Sequence, residues 1–256
     1  MNVLLWLSYQ GTRYAGFQVQ PNAPTVCETL QDAMQAVLGC RPDVKGCSRT
    51  DAGVHARRFA LSFHYTGHVP LRRLPLALNA HLPPDIRVRE AAEVPESFHA
   101  RYAAHAKTYT YRIRNAAVDD PFDFPYTHRI AAPLDTAAMQ RAAAGFIGTH
   151  DCLALCAAGS SVAARGDTVR TITRCEVTRA GEIVTITVTA DGYLYNMVRI
   201  LAGTIVEAGL GKLDPEEVPE ILSGRDRRRA GPTLPAKGLC LVGVEYGEEF
   251  KVKTEK

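Results

Sequence analysis

Hydrophobic residues along the first half of the chain alternate or recur at helical spacing, which predicts short strands separated by helices. Residues 3–9 carry apolar side chains at both odd and even positions, which is typical of a central strand with two covered faces. Thr25 and Glu28 then form a capping box at the start of a helix that ends at Gly39. The remaining predicted elements of this half are a short segment around Val44, a strand at 59–65, a helix at 71–80 interrupted by Pro75, and a strand at 86–94.

The second half repeats the same order of elements. The pattern predicts a strand at 107–115, a helix at 135–147, strands at 168–178 and 182–189 around Gly181, a helix at 195–208 and a strand at 239–246. Each half therefore has the order βαββαβ, which is that of the ferredoxin-like unit. We expect an α+β fold in which the two units, 1–105 and 106–256, form one extended, mainly antiparallel sheet with a functional groove between them.

Composition narrows the class of protein without identifying its activity. With 256 residues, 46% hydrophobic and 22% charged, the chain is typical of a globular protein. The apolar run at 3–7 is too short to span a membrane and lacks the flanks of a signal peptide, so we expect a cytoplasmic protein with no membrane partner. Seven cysteines without a Cys-x-x-Cys pair argue against a zinc site and a disulfide framework.

One loop has the character of a functional site. Residues 46–56 form a polar segment, bracketed by glycines, between apolar flanks, and Asp51 lies at its centre. The residue types alone allow two interpretations: the loop holds the Asp51 carboxylate out for chemistry, or Asp51 closes an Asx turn ahead of Gly53. A net charge of +3 is compatible with an RNA partner but does not require one.

The string Arg49-Thr50-Asp51-Ala52-Gly53-Val54-His55-Ala56 resembles, residue for residue, the active-site motif of the TruA family of tRNA pseudouridine synthases. Further stretches resemble the family in order, over nearly the whole chain: Tyr9-x-Gly11-x-x-Tyr14-x-Gly16-Phe17-Gln18, Asn79-Ala80-x-Leu82-Pro83-x-Asp85-Ile86, Phe98-His99-Ala100-Arg101, Lys107-x-Tyr109-x-Tyr111, Met197-Val198-Arg199 and Pro235-Ala236-x-Gly238-Leu239. The resemblance implies two ferredoxin-like units, a homodimer, and isomerisation of uridine to pseudouridine at positions 38, 39 and 40 of the tRNA anticodon arm.

Three departures from the family pattern stand out. Phe17 occupies a position where the family usually has Trp, and Arg58-Phe59 replaces a Gly-Gln pair. The segment 150–156 differs from a Phe-rich, Ser-containing segment of the family, which weakens the expectation of RNA contacts there.

The implied reaction breaks the C1′–N1 bond and joins the uracil through C5, with no redox change and no group lost, so we expect no cofactor. Asp51 is the expected nucleophile, by attack at C1′ or C6 or by assisting loss of the 2′ proton. The resemblance assigns Arg199 to an ion pair that keeps Asp51 ionised and oriented. The alternative for Arg199 is a helix-surface arginine with a solvated head.

The resemblance also assigns residues that handle the base and the RNA backbone. Tyr109 is expected to stack on the uracil and to transfer a proton, although Tyr109 and Tyr111 also fit the pattern of core residues. Arg49 is expected to displace the target base, with an ordinary loop arginine as the alternative. His55 is predicted to be structural. Candidates for phosphate contacts are His99, Arg101, Lys107, Arg57 and Arg58.

Two further questions stay open on the sequence. The arginines at 225, 227, 228 and 229 fit either a phosphate site or a solvated end of a helix at 215–223. The alternatives to the predicted enzyme are a non-catalytic RNA-binding protein, whose aromatic sheet pattern is not found on the strands, and a pseudouridine synthase acting on another RNA or tRNA position.

Overall fold

The computed structural model divides into two units, Met1–Ala106 with Leu241–Lys256, and Lys107–Cys240. It describes residues 1–247 and 250. The elements of the first unit are β1 (Asn2–Tyr9), α1 (Val26–Leu38), β2 (Lys45–Gly46), β3 (His55–His64), α2 (Leu74–Asn79) and β4 (Ile86–Val94).

The sheet of the first unit has the order β4-β1-β3, with β2 paired to β3, and every pair is antiparallel. In β1, Leu5 lies opposite Leu61 on one side and Ala91 on the other. This is the βαββαβ order predicted from the sequence, with a second strand of only two residues.

Local signals account for the helices of this unit. The Thr25 side chain accepts a hydrogen bond from the Glu28 N–H at 3.3 Å, and Gly39 ends α1 in the left-handed conformation with φ 74°. The sequence predicts a helix at 71–80 that Pro75 interrupts, and this prediction is wrong, because Pro75 interrupts no helix. It lies in the first turn of α2, where a backbone N–H is not needed, after a 3₁₀ turn at Leu71–Arg73.

The second unit also alternates strands and helices. Its elements are β5 (Ala104–Arg114), β6 (His128–Arg129), α3 (Thr136–Ala144), β7 (Gly148–Asp151), α4 (Ser161–Ala164), β8 (Val169–Ala180), β9 (Ile183–Ala190), α5 (Met197–Gly209) and α6 (Val218–Gly224). The last strand, β10 (Leu239–Tyr246), begins in this unit, and its residues from Leu241 on belong to the first unit. Strands β5-β9-β8-β7 pair antiparallel in that order, and β6 runs parallel to β5. The predicted α+β class with mainly antiparallel pairing is confirmed.

Packing in the second unit centres on α5, which contacts α3. Residues Ile200, Leu201 and Ile205 of α5 are fully buried. Helix α3 ends at Ala144 instead of continuing to 147, and β7 was not predicted because its residues Gly, Thr, His and Asp carry no apolar alternation.

The end of the chain groups differently from the sequence-based boundary, which assigned all of 106–256 to the second unit. Among the described residues, those from Leu241 to the end of β10 belong to the first unit. The Tyr246 hydroxyl donates to the Ala100 carbonyl at 2.8 Å, and its ring lies 6.0 Å from Trp6 and 5.0 Å from Phe98. Element order cannot reveal which unit a last strand packs on. Residues 248–249 and 251–256 of the predicted unit lie outside the described residues.

Candidate active site

The loop that carries Asp51 turns sharply between β2 and β3. The Val54 N–H donates to the Asp51 carbonyl at 3.1 Å, and Gly53 has φ 79°. In an Asx turn the Gly53 N–H would be directed to the Asp51 side chain. It donates instead to the Tyr14 carbonyl at 3.2 Å. Main-chain hydrogen bonds therefore close the turn and tie it to Tyr14, and the Asp51 side chain within it is half-buried.

A second segment, residues 9–18, holds this loop through its main chain. The Phe17 N–H donates to the Thr50 carbonyl at 3.1 Å, and the Tyr14 carbonyl accepts from Gly53. Gly16 lies at φ 94°, and a Cβ there would stand 2.5 Å from the Thr50 carbonyl oxygen. The backbones on both sides of Asp51 are thus anchored to a segment more than thirty residues earlier.

Side chains reinforce the same contact. The Tyr9 and Thr50 hydroxyls lie 2.8 Å apart, and the Gly11 N–H donates to Nδ1 of His55 at 3.0 Å. A Cβ on Gly11 would overlap the Val54 carbonyl. Because Nδ1 of His55 accepts a hydrogen bond, it carries no proton, and the ring is 4% exposed. His55 therefore has the structural position predicted for it.

Two departures from the family pattern meet in space. The Phe17 ring stacks on Phe59 with centroids 4.3 Å apart, and Phe59 also contacts Tyr9 at 5.6 Å. A Cβ on Gly46 would lie 2.6 Å from the Phe17 ring. The Phe17 and Phe59 departures therefore form one packed cluster beneath the Asp51 loop.

The stretch 79–86 supports the same segment from another side. The Tyr14 hydroxyl donates to Asp85 at 2.8 Å, and Nε of Arg13 donates to the other carboxylate oxygen at 2.7 Å. Burial, followed by the Asp85 carboxylate, raises the pKa of Tyr14 to about 12. Asn79 exchanges two hydrogen bonds of 2.8 Å with the backbone of Val88, which fixes the start of this stretch.

In the second unit, the two tyrosines of β5 have different surroundings. The Tyr111 side chain is fully buried, its hydroxyl donates to the Pro235 carbonyl at 2.8 Å, and a Cβ on Gly238 would lie 2.7 Å from its ring. Tyr111 is therefore a core residue packed by the stretch 235–239. Tyr109 is 5% exposed and meets Tyr193 edge to face at 5.0 Å.

The Tyr193 side chain fixes the strand beside Tyr109. Its single hydroxyl proton is shared between the carbonyls of Lys107 at 2.8 Å and Val188 at 3.0 Å. Burial raises the pKa of this hydroxyl well above its ordinary value, so Tyr193 stays protonated. Lys107 itself is only 9% exposed, unlike an ordinary surface lysine.

Arg199 is the third residue of α5, and its guanidinium is held by neighbours. Its Nε donates to the Leu234 carbonyl at 2.6 Å, and Nη1 donates to Oδ1 of Asn196 at 2.7 Å. The Leu234 N–H returns a bond of 3.3 Å to the Arg199 carbonyl. Arg199 is therefore not a helix-surface arginine with a freely solvated guanidinium.

A family model described as tRNA pseudouridine synthase matches residues 6–103 and 142–247. The chain belongs to this family. The tRNA pseudouridine synthase A of Moorella thermoacetica is 47% identical over 94% of this chain and 97% of its own, and that of Acetivibrio thermocellus is 44% identical over 96% and 99%. The predicted family, isomerase class and tRNA pseudouridine synthase activity are confirmed.

One solved structure also matches along most of the chain. A chain of the archaeal box H/ACA sRNP Nop10–Cbf5 complex aligns with 97% of this chain and 50% of its own, at 11% identity and a TM-score of 0.35.

For a tRNA-modifying enzyme, the placement of the predicted RNA contacts in the first unit is uneven. Arg49 is exposed in the Asp51 loop. The Arg58 guanidinium lies 4.1 Å above the Trp6 ring, and its Nη1 is 3.9 Å from Glu90, so this side chain already has partners within the protein.

His99 and Arg101 form a surface cluster with a residue that sequence reasoning missed, Tyr102. The His99 ring lies 4.3 Å from the Tyr102 ring, and the Arg101 N–H donates to Nδ1 of His99 at 3.1 Å. Burial is the main cause that lowers the pKa of His99. Tyr102 is 79% exposed. Its position directly after Arg101 was the only available signal.

Three of the arginines near α6 form ion pairs with carboxylates of the same chain. Arg225 lies 3.1 Å from Asp151, and Arg228 pairs with Asp226, whose pKa falls to about 2, mainly through that hydrogen bond. Arg229 lies 3.5 Å from both Glu217 and Glu220. These contacts favour the solvated helix end over a phosphate site. The segment 150–156, which differs from the family pattern, contributes Asp151 to one of these ion pairs and so has a structural role.

Across the described part of the chain, no three His, Cys, Asp or Glu side chains are placed to hold a metal ion. None of the helices within residues 1–247 combines the length and the apolar character that crossing a membrane requires.

Proposed function

We propose that this chain isomerises uridine to pseudouridine at positions 38, 39 and 40 in the anticodon stem-loop of tRNA, with Asp51 as the nucleophile. The observation that carries this proposal is the anchored loop, in which hydrogen bonds to residues 14 and 17 fix the backbone on both sides of Asp51. Family membership supports the reaction, and the resemblance of the motif supports the residue.

Asp51 performs its role through position as well as charge. A carboxylate attacks C1′ or C6, or assists loss of the 2′ proton, only if it is held close to the reacting atom. The bonds from Phe17 and to Tyr14 fix the backbone on both sides of Asp51. A short side chain on a fixed backbone has few orientations, so the loop limits the directions from which the carboxylate approaches the nucleotide.

Arg199 stabilises the ionised form of Asp51. Bound RNA shields the carboxylate from water, which favours its protonation unless a cation opposes it. A guanidinium supplies both the charge and a planar pair of donors, so it also aligns the carboxylate.

Tyr109 stacks on the uracil and transfers a proton during rebonding at C5. Its ring is steadied edge-on by Tyr193, whose hydroxyl is anchored to two carbonyls of the sheet. An aromatic platform holds the uracil after it leaves the RNA stack. The hydroxyl lies on the same ring, so one residue serves both the platform and the proton transfer.

Contacts with the tRNA come from cationic and aromatic side chains. Arg49, exposed beside the nucleophile, displaces the target base. His99 and Arg101 contact the RNA backbone, and Tyr102 provides a stacking surface next to them. Lys107 and Arg58 were also predicted to bind RNA. Lys107 is buried and the exposed Arg58 already has partners within the protein, so both are weaker candidates.

The enzyme works in the cytoplasm, as the sequence led us to expect, and as a homodimer, as the resemblance implies. Light scattering coupled to gel filtration measures the assembly directly. A protein that is active yet monomeric at micromolar concentration would contradict this part of the proposal without affecting the assignment of Asp51.

Substitution of the nucleophile tests the central claim. Asp51→Asn keeps the shape of the side chain and removes its charge, so tritium release from C5-labelled uridine in tRNA should fall to background while tRNA affinity stays within a few-fold. Asp43→Asn is the matched control, because Asp43 is an exposed carboxylate of the same unit that pairs with Lys45. Turnover in Asp51→Asn above a few per cent of wild type would remove Asp51 from the role.

A further inference from the structure

Asn196 immediately precedes α5 and has an unusual backbone. It lies at φ 60° and ψ 9°, in the left-handed region, and is one of three non-glycine residues of the described chain with positive φ. A residue before the first turn of a helix ordinarily has extended backbone, and an asparagine there ordinarily accepts from a free N–H of that turn. The Asn196 side chain makes no such capping bond.

The Asn196 oxygen is used elsewhere. It accepts a hydrogen bond of 2.7 Å from Nη1 of Arg199, three residues along the chain. Arg199 is itself out of place by ordinary rules, because a cation in the first turn lies at the positive end of the helix dipole. Three unfavourable features therefore coincide within four residues: a left-handed asparagine, an uncapped helix and a misplaced cation. Such clusters of local strain are characteristic of functional sites.

The contacts of Arg199 explain what this arrangement achieves. Its Nε is bonded to the Leu234 carbonyl and its Nη1 to Asn196. Two acceptors on different nitrogens fix both the position and the plane of the guanidinium, because rotation of the group would break one of the two bonds.

We propose that Asn196 is a positioning residue that fixes the orientation of the Arg199 guanidinium within the second unit. This inference rests on the proposed function, in which Arg199 acts on Asp51. Asparagine suits the task because it tolerates the left-handed backbone and carries an uncharged acceptor on a short side chain. An aspartate in its place would add a negative charge that competes with the nucleophile for the same guanidinium.

Two substitutions separate the side chain from the backbone. Asn196→Gly relieves the left-handed strain and removes the oxygen, so its Tm should equal or exceed that of wild type. Asn196→Ala removes the same oxygen and keeps the strain, so its Tm should be lower. If the oxygen positions Arg199, both variants lose the same share of the single-turnover rate, at least fivefold, with tRNA affinity unchanged. The acid limb of the rate should also move to higher pH in both, because a misaligned cation stabilises the anion less well.

Asn22→Gly is the matched control, since Asn22 is another left-handed asparagine, with φ 65°, in an exposed loop. It should match wild type in rate and acid limb. Arg199→Met belongs in the same series. If that variant is inactive while Asn196→Gly has the wild-type rate and limb, the positioning role is overturned and the proposed function stands. If Arg199→Met is fully active, the proposed role of Arg199 fails first. A rate loss confined to Asn196→Ala, in step with its Tm, would also overturn the inference.

Discussion

The two units hold their candidate catalytic side chains in different ways. Asp51 is placed by its backbone, which is bonded to a second backbone segment at Thr50 and Gly53. Arg199 is placed by its head group, which is bonded to Asn196 and Leu234. The difference follows from the length of the side chains. Fixing the main chain suffices for a short carboxylate, whereas an arginine has several rotatable bonds and needs contacts at its guanidinium.

The largest effect on activity is expected from removing the Arg199 guanidinium in the second unit. Arg199→Met eliminates the cation, so the rate should fall severely at every pH from about 5 to 8.5, and the acid limb of the remaining rate should move upward from the usual carboxylate range near pH 4. The direction follows because a carboxylate without its cation is protonated more easily and ionises only at higher pH. Single-turnover rates with saturating tRNA measure both quantities.

Arg199→Lys sharpens the same test, because it keeps the charge and loses the planar pair of donors. The acid limb of its pH–rate profile should stay close to that of wild type, while its plateau rate should fall. An Arg199→Met enzyme with an unchanged limb and plateau would show that Arg199 is an ordinary arginine.

A smaller effect on activity is expected from separating residues 9–18 from the Asp51 loop in the first unit. Gly11→Ala introduces a Cβ that overlaps the Val54 carbonyl. The loop must shift, at a cost of about 1–3 kcal/mol in the free energy of unfolding, and the turnover rate should fall at least tenfold. Thermal unfolding and tritium release measure the two effects.

Gly39→Ala is the control for backbone strain alone, because Gly39 has φ 74° and a Cβ added there would meet no heavy atom within 4 Å. It should lose stability and keep its turnover rate. If Gly11→Ala behaves like this control, the contact between residues 9–18 and the Asp51 loop does not position the nucleophile.

Loss of the exposed ring beside His99 should affect binding and leave chemistry intact. Tyr102→Ala removes a stacking surface, and one base stacked on an aromatic ring contributes about 1–3 kcal/mol, so tRNA affinity should fall about fivefold or more. The single-turnover rate with saturating tRNA should stay within twofold of wild type. Fluorescence anisotropy with labelled tRNA measures the affinity.

Phe122→Ala provides the comparison, since Phe122 is 89% exposed but lies beside Asp120 and Asp123 in the sequence, where a phosphate backbone is disfavoured. Equal loss of affinity in both variants would mean that Tyr102 is not a specific contact.

The smallest effect is expected from a single hydroxyl in the anchored loop. Tyr9→Phe removes the 2.8 Å contact with Thr50, which is worth about 0.5–1.5 kcal/mol, and the turnover rate should fall two- to fivefold. Tyr65→Phe is the matched control, because its hydroxyl donates to Val69 away from the loop. It should lose a similar amount of stability with no change in rate. Equal rates in the two variants would exclude a contribution of Tyr9 to loop position.

The order of elements in the first unit and several bounds in both units were evident from the sequence. The strand predicted at 86–94 is β4, the strand at 239–246 is β10, and α1 begins and ends at the residues that its caps indicated. These are local properties, because burial period and capping depend on residues within a few positions of one another. The motif around Asp51 is likewise local, and a continuous string of eight residues was enough to indicate the family.

Tertiary structure alone decided which residues work together. It brought Tyr14 and Phe17 to the loop of Asp51, separated Tyr111 as a core residue from Tyr109, placed Arg58 above Trp6 and grouped the end of β10 with the first unit. Alternation assigns a residue to a face of a strand, but the partner on that face comes from a distant part of the chain. A pairwise contact between distant residues depends on how the elements are arranged, and no local pattern encodes it.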